Sequence, residues 1–547
     1  MKRSSGILLP ISSLPSPYGI GTLGKQAEEF IDFLAASGQS WWQILPVGPT
    51  SYGDSPYQSF STHAGNPYFI DLPTLVEEGL LEQVELDAID WGDDPTRVAY
   101  DKIYNGRFPL LKKAMERGWD KESEAIAAFR AENRGWIEDY ALFMAVKRHF
   151  GMKAWTEWDE DIRLRRYEAV ERYTWLLEDD IRLFVYIQFK FFQQWEKLRA
   201  YAHKKHIGII GDMPIYVAMD SADVWSDPKS FQLDEKNVPV EVAGVPPDYF
   251  SADGQLWGNP LYNWEAMEAD GFGWWIRRVG SATRLYDVLR IDHFRGLESY
   301  WAVPYGEKTA KAGRWVKGPG MKLVGVLTSW FRDMKYIAED LGFMTPEVAK
   351  LLKDSGLPGM KVLEFAFDAR EPSNYLPHTY PQNCVCYIGT HDNAPLQAWK
   401  DECDPADMKM AKKYLGLNSA EGLNWGMLRG GMSSVADLFI VQMQDLLGLG
   451  AESRMNTPGL AAGNWQWRLT EGQADAKLSA KVYEACRIYG RLNAELEAEK
   501  KAKAEAEKKA AEEAKKLAEA EKAAKKAAKE AEKAEKVAKK AEKKAEK

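Results

Sequence analysis

Cysteine is almost absent. The 547 residues carry four, Cys384, Cys386, Cys403 and Cys486, too few for a disulfide framework in a chain of this size. Cys384-x-Cys386 alternates within a strand-like run and lacks zinc-ligand spacing. Buried free thiols in a reducing cytoplasm are therefore expected. Long apolar runs are missing too. The brief stretch between Lys2-Arg3 and Pro10 is too short for a signal-peptide core, and no other segment could span a membrane. There is no Cys/His cluster and no phosphate-cradling glycine motif, so neither a metal nor an organic cofactor is expected. Net positive charge is confined to the C-terminal tail. From Lys501 to Lys547 there are 17 Lys and 11 Glu, a balance of +6 within a net −9, leaving −15 on the remainder. An acidic body is a poor match for nucleic acid and suits an uncharged substrate such as a sugar.

What the chain does have is acids at the ends of short apolar runs. Leu289-Arg290-Ile291-Asp292-His293-Phe294-Arg295-Gly296 places Asp292 where a strand turns into a loop. Tyr336-Ile337-Ala338-Glu339, Cys386-Tyr387-Ile388-Gly389-Thr390-His391-Asp392 and Ile207-Gly208-Ile209-Ile210-Gly211-Asp212 repeat the arrangement. A single acid in such a place is an N-cap or a loop salt bridge. Four in matching places argue instead for a common pocket. Buried parallel strands read as short apolar runs, and acids at their carboxyl ends converge on the active-site face of a (β/α)8 barrel.

The intervening segments support the barrel. A helix is expected from Gln26 to Ala36, with Ala27, Phe30, Ile31 and Leu34 on one face. Another runs from Trp274 to Tyr286, and Thr345 can cap a third over Pro346 to Lys353. Strands are expected at Gly6–Pro10, Trp41–Val47, Met360–Phe367, Cys384–Ile388 and Ala436–Gln444. The helix leading to Ile207 begins at about Asp180. The domain reading is a catalytic barrel at 1–49 and 179–496, and a mostly helical insertion after strand 2 at 50–178, walling one side of the cleft. His203 and His206 fall at the end of the barrel opposite the acids and read as surface or helix-end residues.

The tail, 497–547, is of a different kind. Of its last 47 residues, 45 are Ala, Lys or Glu, all strong helix formers. Pairs such as Glu505/Lys509, Glu532/Lys536 and Glu535/Lys539 have the favoured i,i+4 order, each contributing about 0.2–0.5 kcal/mol. No heptad seam of large apolar residues is present, so a single charged helix is expected rather than a coiled coil. Its partner, if it has one, is not legible.

Converging carboxylates suit retaining glycosidic chemistry, in which one acts as nucleophile and another protonates the leaving oxygen. The segments quoted also resemble a known family. Gly211-Asp212-Met213-Pro214-Ile215-Tyr216-Val217-Ala218, Arg290-Ile291-Asp292-His293-Phe294-Arg295-Gly296, Ala338-Glu339-Asp340-Leu341-Gly342 and Gly389-Thr390-His391-Asp392-Asn393 are similar to motifs of the 4-α-glucanotransferases, or amylomaltases, of the α-amylase clan. So are Gly53-Asp54-Ser55-Pro56-Tyr57-Gln58-Ser59, Val245-Pro246-Pro247-Asp248-Tyr249-Phe250-Ser251 and Arg454-Met455-Asn456-Thr457-Pro458-Gly459. The resemblance runs from about Ser5 to Leu496 and leaves out the tail. It implies transfer of α-1,4-glucan segments between maltooligosaccharides or to glucose by double displacement. Asp292 would be the nucleophile, Glu339 the general acid/base and Asp392 the transition-state stabiliser. Tyr57, Asp212, Arg290 and His391 would line the subsite of the transferred sugar, and Trp257, in a Gly-flanked loop, would stack on the glucan. After Asn393 this chain has Ala394-Pro395, where many members have Asp-Thr.

Three other readings fit parts of the pattern. An α-amylase-type hydrolase would use the same three acids with water as acceptor. A metal-dependent enzyme of enolase type would hold Mg²⁺ on strand-end carboxylates, with a Lys or His as base. No Lys ends a candidate strand, and resistance to chelation would discriminate. A non-catalytic glucan-binding scaffold would show no turnover of maltotriose.

Overall fold

The computed structural model describes residues 2–247, 251–342, 344–368, 370, 373–460 and 462–545. Asp248, Tyr249 and Phe250 of the motif quoted above, and Glu546 and Lys547 of the tail, lie outside the described residues. Twelve strands occur among them: β1 (Ser4–Leu8), β2 (Trp41–Gln43), β3 (Gly208–Met213), β4 (Glu241–Val245), β5 (Gln255–Pro260), β6 (Val288–Ile291), β7 (Ser299–Pro304), β8 (Arg314–Lys317), β9 (Lys335–Ala338), β10 (Gly359–Val362), β11 (Cys384–Tyr387) and β12 (Leu438–Gln442).

Eight of them form a sheet in the order β10-β11-β12-β1-β2-β3-β6-β9, parallel throughout. Chain order and spatial order coincide around the ring, and Ala338 N donates to Pro358 O (2.9 Å) between the two end strands. This is the (β/α)8 barrel that the sequence led us to expect. The strands read as apolar runs because both faces are covered. β1, β6, β11 and β12 are buried at every residue.

Side chains alternate across a strand with period two, and this rule builds the site. Leu8, Ile210, Val288, Ile337, Val385 and Leu438 share one buried apolar cluster. Two residues on from Ile210 comes Asp212. From Val288 the same step leads to Arg290 and then Asp292, and from Ile337 it leads to Glu339. The charged groups therefore stand above the apolar layer, on the same side of their strands.

Helices cover the outside. The first spans Lys25–Ala36, burying Ala27, Phe30, Ile31 and Leu34. Glu178–Lys204 buries the Phe184, Ile187, Phe191, Trp195 and Leu198 series beside β3. Gly273–Leu285 precedes β6. In Pro346–Ser355, Thr345 Oγ1 accepts from Val348 N (3.3 Å), and the helix ends at Gly356 with φ 67°. Between β2 and β3 the regular structure is helical, from Leu72–Glu77 to Tyr167–Leu176.

Sequence reading missed the second sheet, antiparallel in the order β5-β4-β7-β8. Two of its strands come from the loop after β3 and two from the loop after β6. These segments show no clean alternation, since β7 and β8 are only partly buried and β5 carries Gly258 with φ 76°. They pair because neighbouring barrel strands deliver them side by side.

Residues 493–547 form a separate compact unit, with one helix over Ala494–Ala545. Ion pairs of the expected spacing join Lys536 to Glu532 (2.6 Å) and Lys539 to Glu535 (2.7 Å).

Candidate active site

Each expected acid lies at or just past the end of a barrel strand. Asp292 follows β6, and its backbone N–H donates to Met213 O (3.0 Å). Glu339 follows β9, and its N–H donates to Ile291 O (3.0 Å). Asp212 and Arg290 lie within β3 and β6 as registered neighbours. Asp392 comes five residues after β11.

Arg290 organises the centre. It is 3% exposed, and its Nη1 donates to Asp212 Oδ2 (2.6 Å) and to Asp292 Oδ1 (2.9 Å). Tyr57 Oη donates to the same Asp212 oxygen (2.7 Å), while its ring stacks on His391 with centroids 5.2 Å apart. Asp212 Oδ1 is buried with no hydrogen-bond partner among the described residues. A buried acceptor left unmade costs about 1–3 kcal/mol.

Glu339 is held differently. Its Oε2 accepts from His293 N (2.8 Å) and its Oε1 from Leu341 N (2.7 Å). His293 adopts φ 51°, a left-handed conformation uncommon outside glycine, and this aims its N–H at the carboxyl. Its ring meets Trp257 edge-on, centroids 4.9 Å apart. Trp257 is half-buried and lies within strand β5 rather than in a loop.

Burial lifts both central carboxyls above the ordinary range, Asp292 to about 8 against the pull of Arg290, and Glu339 to about 6 against Arg290 and two backbone donors. His293 is driven down to about 3 by burial and then by Arg295, so its ring is neutral. His391 is also shifted down by burial. At Asp292 desolvation outweighs the one guanidinium. Titrating together, Asp292 and Glu339 retain a proton near neutral pH.

Asp392 is the most open of the three acids, its side chain 45% exposed. Asn456 Nδ2 donates to its Oδ1 (2.6 Å), with His391 Nε2 at 3.4 Å from the same atom, and Arg454 Nη2 donates to its backbone oxygen (3.2 Å). Sequence reading gave Asn456 no site role, although it lies in a quoted motif. Trp465, whose ring centroid is 5.8 Å from that of Tyr57, was likewise given no site role. Nearby, Glu364 and Asp445 are buried acids raised by desolvation, Asp445 to about 7. After Asn393, whose Oδ1 accepts from Thr390 N (2.9 Å), Ala394-Pro395 leads directly into the helix Leu396–Glu402.

No three His, Cys, Asp or Glu side chains among the described residues are arranged to hold a metal ion. His203 pairs with Asp287 at 3.0 Å at the amino end of the barrel, away from the acids.

A family model described as 4-alpha-glucanotransferase matches residues 9–474. A curated 4-alpha-glucanotransferase from Clostridium butyricum is 49% identical over 483 residues, spanning 88% of this chain and 99% of that protein. One from Thermus thermophilus is 46% identical over 493 residues, spanning 88% and 98%. Among solved structures, an amylomaltase from Streptococcus agalactiae in complex with acarbose superposes with a TM-score of 0.88 at 42% identity, covering 90% of this chain and 100% of that one.

Proposed function

The chain belongs to the 4-alpha-glucanotransferase family, and from that premise we propose how its cleft moves glucan. The ionised Asp292 attacks the anomeric carbon of an α-1,4-linked glucosyl unit. The bond from that carbon to the leaving oxygen breaks, and Glu339 gives the oxygen its proton. A glucosyl ester of Asp292 results. A sugar hydroxyl then enters, gives its proton to Glu339 and displaces the ester, so two inversions retain configuration. These roles need one charge and one proton on the pair, with the proton on Glu339 once the glucan is bound beside Asp292. Asp392 steadies the sugar at the transition state, oriented by Asn456. Asp212, with Tyr57, Arg290 and His391, lines the subsite of the ring being transferred, and Trp257 stacks on the glucan.

Maltooligosaccharides are the substrates we infer, as donors and acceptors, with glucose also an acceptor. The single observation carrying this reading is the convergence of Asp292, Glu339 and Asp392 from three barrel strands, with Arg290 bonded to Asp292. Residues 50–178 act as the wall of the cleft. No described helix is long and apolar enough to cross a membrane. Four free cysteines suit the cytoplasm as the place of work. Incubation with maltotriose tests the activity. Glucose and a ladder of longer chains, with little rise in total reducing ends, is the expected result. A rise in step with substrate loss would indicate hydrolysis.

A further inference from the structure

A cavity of about 300 Å³ lies apart from the acids, lined by His63, Trp136, Asp139, Asp223, Asp227 and Arg277, among others. None of Asp292, Glu339, Asp392 or their contacting side chains lines it. Four stretches of chain build it: the loop after β2, the start of the helix Ile137–His149, the helix Ala222–Ser226 after β3, and the first turn of Gly273–Leu285. Its size falls at the lower end of the range of ligand pockets, about 300–1,000 Å³.

The lining selects a class of ligand. Most of its charges are already paired, and Asp223 is held by neutral donors. Asp227 faces Arg277 at 3.6 Å and Lys229 at 3.9 Å, Arg165 donates to Asp139 (2.6 Å), and Asp223 accepts from Thr62 N (2.9 Å) and Oγ1 (2.6 Å). An anion would meet three carboxylates and a cation would meet two basic side chains. A neutral polyol escapes both penalties, because each hydroxyl can accept from Arg277 or Lys229 and donate to a carboxylate. The half-buried Trp136 supplies an apolar wall. Its Nε1 donates to Asn133 Oδ1 (3.2 Å), which also accepts from Arg284 Nη1 (3.0 Å), and its ring lies nearly parallel to His63 with centroids 5.9 Å apart. A fixed aromatic wall among paired charges is what the apolar face and hydroxyl edge of a pyranose require.

We propose that this cavity is a second carbohydrate site, holding one or two glucosyl units of a chain that the catalytic cleft acts on. The identity of the sugar rests on the proposed function. Two-point attachment raises the effective concentration of a long glucan at the cleft while leaving short substrates unaffected. With Trp136→Ala or Arg277→Ala, turnover of maltotriose is unchanged, and KM for amylose rises by about tenfold or more.

Calorimetric titration of the inactive Asp292→Asn protein with maltotetraose tests the site. Two classes of sites are expected, one of which disappears on adding either Trp136→Ala or Arg277→Ala. Arg277 has a 54% exposed side chain, so its replacement keeps the test valid should the tryptophan variant fail to fold. One class in the Asp292→Asn protein, two classes surviving either folded variant, or an unchanged KM for amylose overturns the proposal. Failure of the wild-type enzyme to transfer from maltotriose would instead overturn the proposed function.

Discussion

Asp292 and Glu339 occupy matching places on neighbouring strands, each directly after the last registered pair, Ile291 and Ala338. Their backbones are joined there by the bond from Glu339 N to Ile291 O (3.0 Å). Two acids raised by burial and set side by side titrate as a unit, and catalysis needs that unit to hold one proton. Below about 6 the pair takes up a second proton and the nucleophile is neutralised. Above about 8 it loses the last and no acid remains. The rate on maltotriose should follow a bell between these limits, checked by kcat/KM across pH 4 to 10. A profile flat from pH 5 to 9 would contradict the shared proton.

The same burial makes Asp292 a liability for stability. Its folded value of about 8 lies above the unfolded value of roughly 4, so its stabilising contribution is full at low pH and is lost as pH rises towards 8. Asn at this position has no charge to bury. Asp292→Asn should therefore melt above the wild type, by a margin that grows from pH 5 to pH 8. Differential scanning calorimetry reads the margin, and a constant or shrinking difference would refute the argument.

Asn456 should matter to rate more than to fold. It reaches Asp392 from the loop beyond β12 with one hydrogen bond of 2.6 Å. Asn456→Ala frees a half-exposed carboxylate to rotate, and kcat should fall by about 10²-fold, as when a transition-state-orienting donor is lost. The melting temperature should shift by no more than a few degrees. Stopped assays on maltotriose with a parallel melt separate the two effects.

How much of this was legible in the sequence follows from which forces act locally. The eight barrel strands could be read because burial on both faces leaves apolar runs, and the acids because a charge ending such a run is conspicuous. Thr345 announced its helix by a local cap. The sheet β5-β4-β7-β8 was not readable, since its pairing depends on two loops being delivered together by β3 and β6. Asn456 and Trp465 escaped for a related reason, as their partners Asp392 and Tyr57 are 64 and 408 positions away. The lift of Asp292 and Glu339 was not readable, because desolvation depends on the folded surroundings.

The C-terminal helix should be dispensable. The family match ends at residue 474, while the helix runs over Ala494–Ala545 and its side chains are exposed from Lys500 onward. Truncation after Glu499 should lower the helical circular dichroism signal and leave kcat and melting temperature nearly unchanged. A large loss in either would assign the tail a structural or catalytic part.

Covalent trapping tests the central claim, the division of labour between Asp292 and Glu339, most directly. A fluoride leaving group needs little protonation, so α-glucosyl fluoride should load the Glu339→Gln protein and leave the ester stranded for want of a base. Mass spectrometry of the digested protein should place one hexose on the peptide containing Asp292, and Asp292→Asn should take up none. Hexose on any other carboxylate, or full transfer activity in either variant, would contradict the account.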